Sequence, residues 1–544
     1  VSSLQAPGRD ASRDLASRSG DVVSLGTDLD IADVVAIARA GARVEDLGHA
    51  DMERLAPSRE WVREAVEGGE EVIYGVNTGF GSLAGTRIAP AQTRLLSRNV
   101  ILKCAVGTGD PLPRDWVRAM MAVRAHSLAR GVSGVRPEIV QTFIDMLNRD
   151  VLPRVPAKGS LGASGDLAPL AHIALVATRG PEDMPQDHSG DAWFDGRLLT
   201  GAEAMERAGI PRPRVEAKEG LALTNGTTMM VAGAALALHD ALRVLAHAEL
   251  AAALSFEALR GLTEALHPLL HEANNQPGQI RCAARLRELL ADSRLVDTDP
   301  DKVQDAYSLR CTPQILGPIR DVLDFLSERV GAALDAASDN PLVFVGRADG
   351  SSHKALSGGN FHGAGPALWL DVLGIAIAEA ANLSDRRVFR LLTPELSGGL
   401  PAMLVSEPGL NGGLMTTQYT GAALVSDNKT LAHPDSVDSI PTSANQEDHV
   451  SMGANAARHA WEIVANVKQV IAIELLAASQ AVYLRPDGPA RLGRGTRGVY
   501  AAIRERIDPV LIDRPLAPDL AVLEELIDSG GLLATAGGGR VPGS

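Results

Sequence analysis

The chain has 544 residues, 45% of them hydrophobic and 22% charged, the mix of a folded globular protein with enough length for a large core. Its 67 acidic residues outweigh 52 basic ones for a net charge of −15, which argues against a phosphate-neutralising nucleic-acid surface and against attraction to anionic membranes. Aromatics make up only 3%, so Ala, Leu and Val must fill the core, and such a chain leans helical.

Residues 1–27 read as a flexible tail, rich in Ser, Arg and Asp, with no apolar stretch of the kind a secretion signal carries. Residues 28–215 read as a smaller mixed domain. Short helical patterns alternate there with Gly/Pro-rich loops at Tyr74–Gly85, Val151–Asp166 and Arg179–Gly196. Residues 216–529 carry three Ala/Leu-rich stretches, Thr227–Leu262, Pro366–Leu392 and Gly453–Leu484, too long and Ala-rich for strands. Pro366 suits a helix start, where its missing N–H costs nothing. Each stretch predicts a helix of roughly 45 Å, so the three predict a long central bundle. The last is apolar around most of its circumference (Ile463, Val464, Val467, Val470, Ile471, Ile473, Leu475), which predicts burial against other helices or other subunits. Residues 530–544 read as a second flexible tail. The longest apolar runs, such as Met229–Leu238, are too short to span a bilayer. Cys104, Cys282 and Cys311 are far apart with no Cys-x-x-Cys. No metal site or disulfide framework is expected, and a reducing, cytoplasmic compartment fits.

The segment Gly159-Ser-Leu-Gly-Ala-Ser-Gly-Asp-Leu-Ala-Pro-Leu-Ala-His172 carries the chemistry. One reading is a Gly-rich turn with Asp166 capping a helix. A serine nucleophile is a second, but the hydrolase elbow needs Gly-x-Ser-x-Gly, and Asp166 stands at the last Gly position. The third is self-processing. In a tight turn the Gly165 nitrogen attacks the Ala163 carbonyl; loss of water closes a five-membered ring, and loss of a second water from Ser164 leaves an exocyclic methylidene. The product is an electrophile, 4-methylideneimidazole-5-one (MIO).

This segment resembles the prosthetic-group segment of the histidine/phenylalanine ammonia-lyase family. Five further blocks resemble that family in its order: Tyr74–Gly81, Lys218–Thr227, Val303–Cys311, Ser357–Gly363 and Ser436–Met452. The resemblance covers roughly residues 30–500. It implies a mainly α fold with a fumarase/aspartase-like central bundle, the MIO loop in the mixed N-terminal region, and a homotetramer with shared active sites. The implied reaction is loss of ammonia from an α-amino acid, leaving an α,β-unsaturated acid, with no metal or external cofactor. By resemblance Ala163, Ser164 and Gly165 form the ring and Tyr74 is the β-proton base on a glycine-bearing loop. Asn225 and Tyr307 hydrogen-bond the ring oxygen or substrate, and Arg310 takes the carboxylate as a guanidinium fork suits. Gln304 and Phe361 line the pocket. Glu447, in Asn445-Gln-Glu-Asp-His-Val450, matches the histidine-specific members, and its carboxylate suits an imidazole N–H.

Two positions depart from that pattern. Histidine-specific members usually carry Ser-His where this chain has Lys103-Cys104, and His126 stands where the family often has Asn. Adjacent helical residues point about 100° apart, so one of Lys103 and Cys104 is expected to face the pocket. Cys104 would be a small, weakly polar wall; Lys103 would add a cation able to pair with Glu447. Histidine-to-urocanate elimination is the leading reading. The alternatives are a 2,3-aminomutase on the same scaffold, a lyase for another aromatic or polar amino acid, and a non-catalytic homologue. A hydrolytic Ser443/Asp448/His449 grouping is disfavoured, because sequence neighbours seldom share a catalytic geometry.

Overall fold

A computed structural model describes residues 22–69, 71–182, 184, 186–346 and 354–536. The three Ala/Leu-rich stretches form helices at Thr228–Ala258, Ala364–Leu392 and Gly453–Leu484. Ala and Leu lose little entropy on helix formation and leave small, interlocking surfaces. A fourth long helix, Thr312–Leu334, packs between the first two. It carries Pro313 near its start and Pro318 inside, and Gly317-Pro318 conceals its pattern, because an internal proline is ordinarily a breaker. Its inward stripe (Leu316, Ile319, Leu323, Leu326, Val330) has helical spacing.

A buried ion pair sets the register of three of these helices. Arg387 reaches the Glu474 carboxylate (Nη2–Oε2 2.7 Å), and the Ser255 hydroxyl donates to the same carboxylate at 2.7 Å. Both charged side chains are fully buried. Such a pair adds little net stability but penalises any sliding that separates it.

By length and composition, three helices among the described residues could cross a membrane, which corrects the expectation drawn from uninterrupted runs alone. Their most apolar windows are 83%, 56% and 78% buried within the fold, in chain order. Packing against one another accounts for most of that apolarity, and Ala364–Leu392 keeps the most exposed face, with Leu368 and Ile375 on it.

Around the bundle the strands are short: Val22–Val23 beside Arg43–Val44, Thr108–Pro111 beside Pro156–Lys158, Leu152–Pro153 with the hairpin Asp191–Phe194/Arg197–Thr200, and Leu342–Val343 beside Ala355–Leu356. The boundary expected at 215/216 is not a boundary of packing. Trp116 stacks on Trp461 at 4.9 Å and donates its indole N–H to the Met229 carbonyl at 2.9 Å, so one core runs through both parts. The expected tails are shorter than drawn. Val23 and Leu25 are buried, and the short helix Gly531–Thr535 buries Leu532 and Leu533, because apolar side chains gain from leaving water. Residues 1–21 and 537–544 lie outside the described residues.

His126 has a structural role. Its Nδ1 accepts from the Gly26 N–H at 3.1 Å, its Nε2 lies 3.1 Å from Asp335, and burial lowers its pKa. It fastens the N-terminal segment to the end of the Thr312–Leu334 helix.

Candidate active site

Gly162 and Gly165 have φ of +74° and +72°, which glycine adopts without strain. Gly165 bridges to Gly226 so closely that a Cβ on it would lie 2.2 Å from the Gly226 carbonyl oxygen. Two donors converge on the Ser164 carbonyl: Asn225 Nδ2 at 2.7 Å and the Gly226 N–H at 3.4 Å. The Asp166 N–H in turn donates to the Gly226 carbonyl at 2.8 Å. The turn is therefore pressed onto the Lys218–Thr227 segment along its length.

Asp166 does cap a helix, but not the Leu167–Ala177 helix that it begins. Its carboxylate accepts from the Met230 N–H at 3.1 Å and from the Ser160 hydroxyl at 3.0 Å. It thus caps Thr228–Ala258, whose own Thr227 makes no side-chain cap. Burial pushes the Asp166 pKa up to about 6, against hydrogen bonds from Met230, Ser160 and Met229 and the nearby Arg124. Arg124 is fully buried. It donates to the Ala222 carbonyl at 3.1 Å and to Thr228 Oγ1 at 2.6 Å, bracing the other side of the junction; nothing in its local sequence marks it for this. Ser451, also unmarked, donates to the Gly162 carbonyl at 3.2 Å, and the Gly363 N–H donates to the same carbonyl at 3.1 Å. Phe361, two residues before Gly363 in the chain, is half-buried.

Glu447 is brought to the turn from a hairpin far along the chain. The Ser164 hydroxyl donates to Glu447 Oε1 at 3.2 Å, and Thr442 Oγ1 donates to Oε2 at 2.6 Å. Thr442 and Glu447 pair as an antiparallel bridge around Ser443, Ala444 and Asn445, all three left-handed. No hydrogen bond among the described residues joins Ser443, Asp448 and His449; His449 stacks on His362 at 5.7 Å instead.

The Tyr74 loop lies against that hairpin, where a Cβ on Gly81 would meet Ser443 Oγ at 2.7 Å. The Tyr74 hydroxyl accepts from the Gly81 N–H at 3.1 Å, and Phe80 sits edge-on to the Tyr74 ring at 6.5 Å. Helix Thr93–Cys104 delivers the variant pair to opposite sides. Cys104 is buried; burial raises its thiol pKa, with the Lys103 and Glu447 charges acting on it in opposite directions. Lys103 is exposed, and its ammonium lies 5.0 Å over the Phe80 ring. It makes no ion pair with Glu447, because the helical turn between neighbours aims it at the loop. This corrects its expected pairing.

Gln304, Tyr307 and Arg310 form a separate cluster. Arg310 donates to Gln304 Oε1 and lies 6.0 Å from the Tyr307 ring, while Tyr307 is 73% exposed. No hydrogen bond or ion pair among the described residues connects this cluster with the Ser164 turn. Of the expected residues, the chain thus brings together Tyr74, Cys104, Ala163, Ser164, Gly165, Asn225 and Glu447, and leaves Gln304, Tyr307 and Arg310 apart.

The residues present fit an MIO ring. Gly165 is already left-handed, the Ser164 carbonyl already has two donors, and Asn225 Oδ1 is buried without a partner among the described residues.

Residues 29–505 match the family model for aromatic amino acid lyases, and the chain belongs to that family. It is 46% identical over 508 residues to the histidine ammonia-lyase of Treponema denticola, covering 93% of this chain and 97% of that enzyme. Among solved structures, histidine ammonia-lyase from Trypanosoma cruzi superposes with a TM-score of 0.85 at 37% identity, covering 95% of each chain. Tyrosine aminomutase from Streptomyces globisporus superposes at 0.86 with 32% identity, covering 95% of this chain and 98% of the aminomutase.

Proposed function

We propose that this protein is an ammonia-lyase that converts histidine to urocanate, with Ala163, Ser164 and Gly165 cyclised to MIO. The observation that carries the reading is the Ser164 turn, with its carbonyl facing Asn225 and Gly226 and its hydroxyl 3.2 Å from Glu447. The ring supplies an electrophile for the substrate's amino nitrogen, which turns a poor leaving group into a better one. Tyr74 takes the β-proton, on a loop whose glycines allow opening and closing. Asn225 Nδ2 and the Gly226 N–H stabilise negative charge on the Ser164 carbonyl oxygen, as oxyanion donors do. Glu447 orients the imidazole through an N–H, and Cys104 forms the wall beside it. Arg310 holds the substrate carboxylate with a guanidinium fork.

The chain works as a homotetramer with shared sites in this reading. The exposed Gln304–Arg310 cluster and the exposed apolar side chains of Ala364–Leu392 support that arrangement, since a separate subunit can bring the carboxylate-binding group to the Ser164 turn. A cytoplasmic setting fits three free cysteines.

A panel of amino acids, followed by ultraviolet absorbance for the unsaturated acid and by chromatography for the β-amino acid, tests the reading. Urocanate formed from histidine, with a protein mass two waters below that of the chain, is the expected result. Turnover of another amino acid but not histidine overturns the substrate, and a β-amino acid as main product favours the aminomutase.

A further inference from the structure

A second cavity, of about 560 Å³, opens where the Val35–Ala40 segment, the middle of helix Thr228–Ala258, the first half of helix Gly453–Leu484 and the end of helix Ala517–Asp528 meet. It lies away from the Ser164 turn, with His239 about 13 Å of helical rise beyond Met230. Nearly all its charged side chains are paired. Arg39 bonds Asp115 and Asp240, each at 2.8 Å, and Lys468 bonds Asp528 at 2.8 Å. Arg243 is left over. Its one hydrogen bond among the described residues is to the main-chain carbonyl of Asp528, and no carboxylate pairs with it.

One helical turn from Arg243, on the same face, stands His239. It is 2% exposed, lines the cavity, and its Nδ1 has no partner among the described residues. Burial, with Arg243 and Arg39 nearby, lowers its pKa to about 3, so the ring is neutral and has one N–H to donate. A buried polar atom without a partner is uncommon and needs a reason. A guanidinium that forms no ion pair among the described residues and a neutral imidazole line one cavity, and together they are complementary to a carboxylate. Val35, Val244, Val464 and Ile527 supply apolar wall around them. Three carboxylates, Asp115, Asp240 and Asp528, face three cations, Arg39, Arg243 and Lys468, so the lining is neutral overall and the second charge of a dianion would meet uncompensated repulsion.

We propose that this cavity binds a small monocarboxylic acid with an apolar body, its carboxylate on Arg243 and His239 and its body against the valine and isoleucine wall. The volume lies in the range of small-molecule sites.

Calorimetric titration with benzoate tests this on the full chain carrying Arg310→Met, which removes carboxylate binding at the catalytic site. Saturable benzoate binding is expected, with no binding of benzyl alcohol. Arg243→Met should weaken benzoate about tenfold or more, the worth of a charge-assisted hydrogen bond. Ala465→Leu, which fills the cavity without touching its charges, should weaken it similarly. In chains with Arg310 intact, both substitutions should leave turnover unchanged. Absence of saturable benzoate binding overturns the proposal, as does an affinity that neither substitution lowers. Inorganic phosphate binding as tightly as benzoate overturns the monocarboxylate class. If Arg243→Met does not fold, Ala465→Leu alone decides.

Discussion

Gly165→Ala tests whether the turn at Ser164 owes its shape to the absence of one methyl group. The substitution has two separable consequences. At φ +72° an alanine is held left-handed, at a cost of roughly 1–2 kcal/mol. Its Cβ would also lie 2.2, 2.3 and 2.6 Å from the O, C and N atoms of Gly226, where ordinary contact begins at 3.4 Å. These are backbone atoms, so no side chain can rotate away, and the two segments must separate by about 1 Å. That movement breaks the 2.8 Å bond from the Asp166 N–H to Gly226; an unmade buried hydrogen bond adds roughly 1–3 kcal/mol. It also draws Ser164 away from Asn225. Gly196→Ala is the control, because at φ +71° it carries the same left-handed cost while its Cβ would meet nothing within 4 Å. Intact mass and turnover are the assays. Gly165→Ala should keep both waters and lose activity to background, while Gly196→Ala should lose both waters and turn over as the wild type does. A Gly165→Ala protein that has lost both waters and turns over within about threefold of wild type would falsify the argument, since such a change corresponds to less than 1 kcal/mol of barrier.

Three further outcomes are expected. Asn225→Ala removes the 2.7 Å donor to Ser164 and should lower kcat by about 10²–10³ with little change in the melting temperature; an unchanged kcat would remove Asn225 from the mechanism. Asp339→Asn leaves the buried Lys218 ammonium, 2.6 Å from Asp339 Oδ2 in the intact protein, without its counter-charge, and should cost about 3–5 kcal/mol in urea unfolding; an unshifted midpoint would contradict it. His247 is fully buried, and burial lowers its pKa to about 4 from 6.5. The unfolded chain therefore takes up a proton between those values that the folded chain refuses, and stability falls as pH drops below about 6.5. His247→Leu should shrink the stability difference between pH 7 and pH 5 by about 2 kcal/mol, and identical differences in the two proteins would refute it.

The chemistry of this chain was legible because it is concentrated in short segments. Ala163-Ser164-Gly165 alone leaves a capped turn, a nucleophile and a self-processed ring open, and the six blocks in family order point to the last, while the glycines of the Tyr74 loop state that it can bend. The three Ala/Leu-rich helices were legible for a similar local reason: a run of strong helix formers without breakers has few other options. The fourth, Thr312–Leu334, was not, because Gly317 and Pro318 oppose it locally and burial of Leu316, Ile319 and Leu323 overrides them.

Other features depended on separations that no local pattern spans. Asp166 reads as the cap of the helix that follows it, yet the orphan N–H groups of Thr228–Ala258 lie within its reach and claim it. Lys103 and Cys104 are neighbours in the chain, and only the orientation of the Thr93–Cys104 helix sends the thiol towards Glu447 and the ammonium to Phe80. His126 looked like a variant site residue and proved to be a clasp between Gly26 and Asp335. The sequence by itself determined the family, the glycine-rich turn and the helical bundle, because motifs and propensity are properties of neighbouring residues. Which carboxylate meets Ser164, which helix Asp166 caps and which of Lys103 and Cys104 faces inward were decided only by the tertiary structure, because burial and hydrogen bonding act between groups that the packed core brings into contact whatever their distance along the chain.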